Sequence, residues 1–511
     1  MKVLSITARS ASFKTECNSA YYAPAPFDVL LNGETAVKEE EKNVFSLFNL
    51  TPDTEYILEA RGEKLSFKTA CETSFLSVKD FGAAGDGLRD DTPSFSAAVA
   101  CAEEGSTIYV PAGDYRIKPV FLKSGITLWL DKGARLVGET DRTKYPVLPA
   151  VAGEGKSRRN FGTWQGEEAN CFASMLTAIG CRDVAVIGEG VIDGNAQNSD
   201  WYVNHRVMRI AWRPRGVFFN RCENVLMQGV TVRDTPSWNV HPYFCKNVKL
   251  YNLSLYNIPS MPTTDGIDPD CCEGVDIAGV NISVGDDCIA IKSGTLELAR
   301  RYKTPCRDIK ITDCLMECGH GGVVFGSESS GGIENVHVER CIFRGTERGF
   351  RIKTRRGRGR VGEISGVVFK NIVMQDVITP FVINMYYNMG DQTGHTEYVW
   401  TTEKLPVDEL TPIVGDFEFS DMKCTGVCCC AGAFYGLPEE PIKRIKLKNV
   451  SFEFNRDCQP SFPDMKEKNE AVKCGGLYFL FTDKVELENV TFSGVEGEEV
   501  VCEGVGSVHR K

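Results

Sequence analysis

Six short strings of one design recur along this chain, and they constrain its fold more than any other feature. They read CENVLMQGVTV (222–232), CKNVKLYNLSL (245–255), CEGVDIAGVNI (272–282), CRDIKITDCLM (306–316), IENVHVERCIF (333–343) and IKRIKLKNVSF (442–452). Each opens on a polar or Gly/Asn turn and continues as short apolar strands with a two-residue period. Cys222 to Cys245, Cys245 to Cys272 and Cys272 to Cys306 are 23, 27 and 34 residues apart. A strand-based repeat of roughly 20 to 35 residues marks a β-solenoid. The scarcity of long 3.6-residue periodicity excludes helical repeats. Unequal repeats imply loops of different size leaving one face of a constant core, and binding sites sit on such loops. The two largest departures, Asp141 to Cys171 and Tyr386 to Thr411, are long, polar and aromatic, and are expected to wall a cleft.

At 511 residues the chain exceeds one ordinary compact domain, though a solenoid can absorb most of it. Residues 1 to 72 read as a separate β-sandwich. Their string LTPDTEY (50–56) resembles fibronectin type III modules, in which the Tyr makes a corner hydrogen bond. A second unit, 73 to 511, opens on VKDFGAAGDG (78–87), Asp90-Asp91-Thr92 and a short helical run through Ala102. That entry resembles a pectin-lyase-type β-helix, with the helix capping the open end of the coil stack. The fold class is therefore all-β: a right-handed parallel β-helix with a small amino-terminal β-sandwich.

A net charge of −11 excludes nucleic acid as a partner, because phosphate binding needs a basic surface. No stretch approaches the roughly 18 to 20 apolar residues of a membrane span. The opening, MKVLSITARSASF, lacks the apolar run of a signal peptide, so a cytoplasmic location is expected, with leaderless export left open. The 21 cysteines are odd in number, and many sit within apolar strands, as reduced, buried thiols would. Cys428-Cys429-Cys430 has neither a facing CxxC pair nor a nearby His, so no metal or other cofactor is expected. One basic run breaks the acidic balance: RIKTRRGRGR (351–360) carries six cations, which suits an anionic ligand better than a solvated loop.

Four motifs follow in order: TTDGID (263–268), GDDC (285–288), GHG (319–321) and RIK (351–353), supported by GVIDG (190–194) and Gly326-Ser327. Each is weak alone, but together they make the chain resemble glycoside hydrolase family 28, the polygalacturonases, over roughly residues 75 to 500. The spacing carries its own meaning. Asp265 and Asp287 are 22 residues apart, one short coil, so they can stack on adjacent strands about 4.8 Å apart. His320 and Arg351 then follow at 33 and 31 residues. Adjacent residues on a regular strand face opposite ways, so Asp286 and Asp287 require a bend or bulge to point outward together.

Three carboxylates in one place raise the pKa of at least one, which can then act as an acid. Inverting hydrolysis needs such an acid and an ionised carboxylate holding water. The resemblance implies Asp286 as the acid, with Asp265 and Asp287 handling the water, the base among them unassigned. It also implies that His320, between glycines that would admit substrate to its backbone, tunes that acid. Arg351 and Lys353, two apart and sharing a strand face, suit the carboxylate of galacturonate. The expected partner is thus a pectic oligo- or polysaccharide, and the amino-terminal unit and long loops resemble bacterial exo-acting members. Asp268 reads as structural. Trp201, Trp212, Trp238, His241, Tyr386 and Trp400 are candidates for sugar stacking or for burial. One departure stands out: Thr263 occupies the place of the family's Asn. Alternatives are rhamnogalacturonan hydrolysis, a calcium-dependent pectate lyase and a non-catalytic solenoid. The sequence leaves the oligomeric state open.

Overall fold

The computed structural model describes residues 1–388 and 396–511. Five of the six repeat strings become two strands split by a turn, as in Glu223–Gln228 and Thr231–Arg233, then Lys246–Tyr251 and Ser254–Tyr256, and the sixth lies within one long strand, Ile442–Phe454. Between strings runs a third strand, among them Val217–Asn220, Val240–Tyr243, Ile289–Ile291, Val323–Gly326, Arg348–Lys353 and Thr379–Asn384. The strands of the strings pair in parallel with their counterparts one coil on, so that Val225, Val248, Val275, Ile309 and Val336 lie in one column. The result is a right-handed parallel β-helix. The inward residues of the column merge into one core, which the buried face of helix Thr92–Cys101 (Phe95, Ala98, Val99) joins at the first coils.

The turn chemistry explains the strings. In five of the six the third residue, Asn224, Asn247, Gly274, Asp308 or Asn335, has φ between 53 and 73°, the left-handed region that Asn, Asp and Gly tolerate. Their side chains bind along the stack: Asn247 donates to Asn224 at 3.2 Å, and Asn224 to Asp183 at 2.9 Å. The cysteines that open the strings also stack, buried, with the Cys222 N–H on the Cys245 sulfur and the Cys245 N–H on the Cys272 sulfur, both at 3.4 Å.

Residues 2–68 form two antiparallel sheets, one of three strands (Lys2–Ile6, Ala11–Lys14, Val44–Leu47) and one of four (Tyr22–Leu31, Glu34–Lys42, Glu55–Ala60, Glu63–Lys68). They enclose their own core of Phe13, Phe45, Leu58 and Phe67. The Thr51 N–H donates to the Tyr56 hydroxyl at 2.9 Å. This unit docks on the turns between the first two strands of the coils, where a Cβ on Gly229 or Gly279 would meet Phe48 or Val44 at 2.3 or 2.5 Å.

Candidate active site

The third sheet loses its regular strand where the acids lie. Residues 265–270 keep only isolated parallel bridges, Ile267 to Ile289 and Asp270 to Lys292, both offset by 22 residues (289 − 267 and 292 − 270). That offset sets Asp265 over Asp287, and the Gly266 N–H donates to the Asp287 carbonyl at 3.0 Å. Asp286 and Asp287 occupy a bend between Asn281–Ser283 and Ile289–Ile291, which satisfies the need for a bend. Asp265 and Asp287 are buried and Asp286 is half-buried. One oxygen from each of the three lies within 4.8 Å of the others. A hard divalent ion accepts such oxygens, but Asp287 already has Lys353 as its cation.

Asp286 is held by backbone donors: Thr263 N–H at 2.7 Å and Asp287 N–H at 3.1 Å. Thr263 makes this contact at φ 62°, unusual for a β-branched residue, while its hydroxyl oxygen accepts from Arg213. The His320 N–H donates to the Asp286 carbonyl at 3.0 Å, and its Nδ1 lies 2.7 Å from Glu347. The flanking glycines leave room for the acids. A Cβ at Gly319 would lie 3.0 Å from the Asp286 carbonyl, and one at Gly321 would lie 3.1 Å from an Asp287 carboxylate oxygen.

The charges divide the acids. Burial raises Asp287, but Lys353 at 2.5 Å, Arg351 at 3.9 Å and His320 outweigh it and hold the carboxyl down at about 2. Burial, then Asp268 and Asp286, push Asp265 well above the usual carboxylate range, only partly offset by Lys292 at 3.9 Å. Burial likewise pushes Asp268 up to about 8 against Lys292 at 3.5 Å, so this residue belongs to the charge cluster rather than to the scaffold alone.

Arg351 and Lys353 do share the outward face of their strand, since Phe350 and Ile352 enter the core. Both are already matched, Lys353 by Asp287 and Arg351 by Asp464, its second nitrogen 2.5 Å from that carboxylate. Arg356 binds Glu439 at 2.6 Å and Arg360 binds Glu440 at 3.1 Å. The basic run is therefore largely neutralised within the protein, which revises its reading as an open cationic patch for an anionic ligand. Lys292, Glu328, Asp464 and Glu347, the partners that decide the charges, went unnoticed in the sequence; a Lys five residues after the Asp pair, on a strand with buried neighbours, was the one available signal.

Asp286 opens into a pocket of about 340 Å³ also lined by Trp164, Glu167, Trp212, Glu328 and Arg358. Trp164 and Glu167 come from the 141–171 insertion, which does wall the cleft. Glu168 ties it down through Arg301 and the Tyr302 hydroxyl, and the Thr295 N–H donates to the Gly166 carbonyl at 3.0 Å. Of the second insertion, residues 389–395 lie outside the described residues, and Arg356 binds the carbonyls of Tyr398 and Thr401 beyond them. Trp164, missed as an aromatic candidate, stacks on Trp212 with ring centres 4.8 Å apart. Trp212 and Trp400 are half-buried, whereas Trp201, Trp238, His241 and Tyr386 are buried. A hollow of about 660 Å³ between Ser5, Ile6 and the solenoid flank has no such convergence of acids.

The family model for "Glycosyl hydrolases family 28" matches residues 101–433. A probable polygalacturonase of Vitis vinifera is 28% identical over 390 residues, 75% of each chain. Another of Arabidopsis thaliana is 32% identical over 325 residues, 62% of each. The chain thus spans about two thirds of the length of these relatives. Among solved structures, a family 28 exopolygalacturonase of Yersinia enterocolitica superposes with TM-score 0.73 at 19% identity, covering 99% of this chain and 97% of its own. A hyperthermoactive exopolygalacturonase of Thermotoga maritima gives 0.66 at 26% identity, covering 83% and 93%.

Proposed function

The chain belongs to glycosyl hydrolase family 28, and on that footing we propose that it hydrolyses α-1,4-linked galacturonic acid in pectic chains, trimming them from an end with inversion. The observation that carries this reading is the convergence of three carboxylates behind a pocket that Asp286 lines, with Asp287 held low and Asp265 pushed up. Asp286 faces the pocket and protonates the glycosidic oxygen. Asp287, kept ionised by Lys353, takes the proton of the attacking water, and Asp265 orients that water. His320, fixed by Glu347, adds positive charge beside Asp287 when it is protonated. Arg351 and Lys353, matched by Asp464 and Asp287, act from behind the acids by holding Asp287 ionised.

Inversion is the finer part of this reading. Carboxyls about 5–5.5 Å apart suit a retaining enzyme, and about 6.5–9.5 Å an inverting one. Oxygens within 4.8 Å favour retention on that rule. Inversion at this spacing places the water beside the acid, between Asp265 and Asp287. Proton NMR of the first-formed product decides: a β-anomer supports inversion, and an α-anomer overturns it.

End-trimming rests on the pocket that Trp164 and its insertion wall off, and on the exo-action named for the Thermotoga structure. On polygalacturonate, monomer or dimer then appears first while chain length falls slowly; early random shortening refutes it. Asp286→Asn is expected to lower kcat by about 10² to 10⁴-fold, and unchanged turnover removes the catalytic reading. A calcium-dependent rise in absorbance from unsaturated product would instead assign a lyase. The amino-terminal unit is proposed as fibronectin type III-like, supported by its three- and four-stranded sheets and the Thr51–Tyr56 contact. Cytoplasmic residence is proposed on the stacked free thiols of the core, and cell fractionation tests it.

A further inference from the structure

Lys292 stands at the end of Ile289–Ile291, bridged to Asp270 and almost wholly buried. Its Nζ lies 3.5 Å from Asp268, 3.5 Å from Glu328 and 3.9 Å from Asp265, and 5.0 Å from the centre of the Trp238 ring. These are ion pairs shared three ways, unlike the single 2.5 Å contact between Lys353 and Asp287. The charged and titratable groups around it come from every neighbouring element. Asp265, Asp268 and Asp270 come from the irregular segment, Asp287 from the bend and Glu328 from the loop after Val323–Gly326. Lys353 belongs to the next coil but one, and Arg213, Arg215 and His241 to the preceding coils.

Most of those groups have another partner. Asp287 has Lys353. Glu328 accepts from the Ser327 hydroxyl at 2.7 Å and lies 3.8 Å from Arg358. Arg213 is spent on the Pro236 carbonyl and Thr263. His241 is kept neutral by burial, then by Arg215 and Lys292. Asp265 and Asp268 have Lys292 as their nearest cation.

We propose that Lys292 is a positioning residue for the reaction: shared by Asp265, Asp268 and Glu328, its ammonium sets the charge of the Asp265–Asp268 pair and thereby whether Asp265 can orient the attacking water. The proposal rests on the acid–base reading of the three catalytic carboxylates. In a poorly solvated site two like charges cannot both ionise without a compensating cation nearby. Glu328 extends the device to the pocket, which it lines beside Asp286. A sugar hydroxyl donating to Glu328 takes up part of its charge and leaves more of the ammonium to Asp265, so occupancy of the pocket readies the water-holding acid.

The test is the pH dependence of kcat on oligogalacturonides, with thermal unfolding run on each variant. Lys292→Met is expected to move the acid limb up by about one pH unit, so that kcat well below the midpoint falls about tenfold. Glu328→Gln moves it down, because less of the ammonium is drawn away. Adding Asp268→Asn to Lys292→Met takes away the carboxyl that competes with Asp265 for ionisation and returns the limb toward the wild-type position. A Lys292→Met enzyme that loses rate uniformly, with its midpoint unmoved, shows a space-filling lysine and overturns the proposal. If that variant does not fold, an unmoved limb in Glu328→Gln overturns it instead. Turnover surviving in Asp286→Asn is a separate outcome, which removes the underlying catalytic reading.

Discussion

Asp265 and Asp287 hold the same register position in successive coils and are almost equally buried, 3% and 1% exposed, yet they sit at opposite ends of the carboxylate range. Burial is the largest influence on both and so cannot separate them. What separates them is the number, distance and commitment of the cations. Asp287 has an ammonium to itself at 2.5 Å and a guanidinium at 3.9 Å. Asp265 has a share of one ammonium at 3.9 Å, with Asp268 and Asp286 as like-charged neighbours. Coulomb attraction grows as distance shrinks and as solvent is excluded, so of two carboxyls stacked on successive coils one is held ionised and the other is pushed toward its protonated form. Asp286 follows a third course, with part of its surface in the pocket and two backbone donors in place of a cation.

The largest expected effect comes from erasing that difference. Lys353→Met leaves Asp287 as short of cations as Asp265. Removing one partner of a buried ion pair leaves a charge worth about 3–5 kcal/mol of destabilisation, which the carboxyl escapes by taking up a proton. The pKa of Asp287 therefore rises, the base is lost at low pH, and kcat at pH 5 falls about 10² to 10⁴-fold, recovering in part as the pH is raised. A pH–rate profile with reduced height but an unmoved acid limb breaks the comparison, because it means that Lys353 does not set the charge of Asp287.

A smaller effect appears in stability. Asp268, pushed up to about 8, holds a proton in the folded chain that the unfolded chain releases near pH 3.9. Between about pH 4 and 8 the folded state binds more protons, so stability falls as the pH rises, by up to about 1.4 kcal/mol per unit. Asp287, held down at about 2, has the opposite sign: its contribution is present above about pH 4 and is lost as the pH falls from 4 toward 2. Asp268→Asn should flatten the slope from pH 5 to 8 and leave the acid-side loss intact. Urea midpoints measured across that range check it, and an unchanged slope above pH 5 would place the proton elsewhere.

Which of these facts the sequence could carry follows from how local they are. The coil is legible because a left-handed turn demands Asn, Asp or Gly at one place in five of the six strings, as at Asn224, Asn247 and Asp308. The stacking of Asp265 on Asp287 is legible because a solenoid turns sequence interval into register. Charge states are not legible in this way. Arg351 and Asp464 are 113 residues apart, Lys353 and Asp287 are 66 apart, and no period links them. The run 351–360 reads as an unmatched basic patch for that reason: Glu439 and Glu440 reach it from coils further on. Trp164 was hidden likewise, inside an insertion that belongs to no repeat.

The smallest effect concerns the third acid. Thr263 presents its N–H to Asp286 from a left-handed conformation that costs an L-residue roughly 1–2 kcal/mol, least for Gly, Asn and Asp. Asn at this position keeps the donor that Asp286 accepts from and relieves the β-branched side chain. Thr263→Asn should therefore stabilise the fold by about 1 kcal/mol while kcat changes only a few-fold, since Asp286 keeps both backbone donors. Thermal unfolding paired with initial rates checks both halves. A destabilised Thr263→Asn would mean that the contact between Arg213 and the Thr263 hydroxyl, rather than the backbone, fixes this turn. Asp286 would then depend on a cation after all, one residue removed, and its contrast with Asp287 would narrow to a difference of distance.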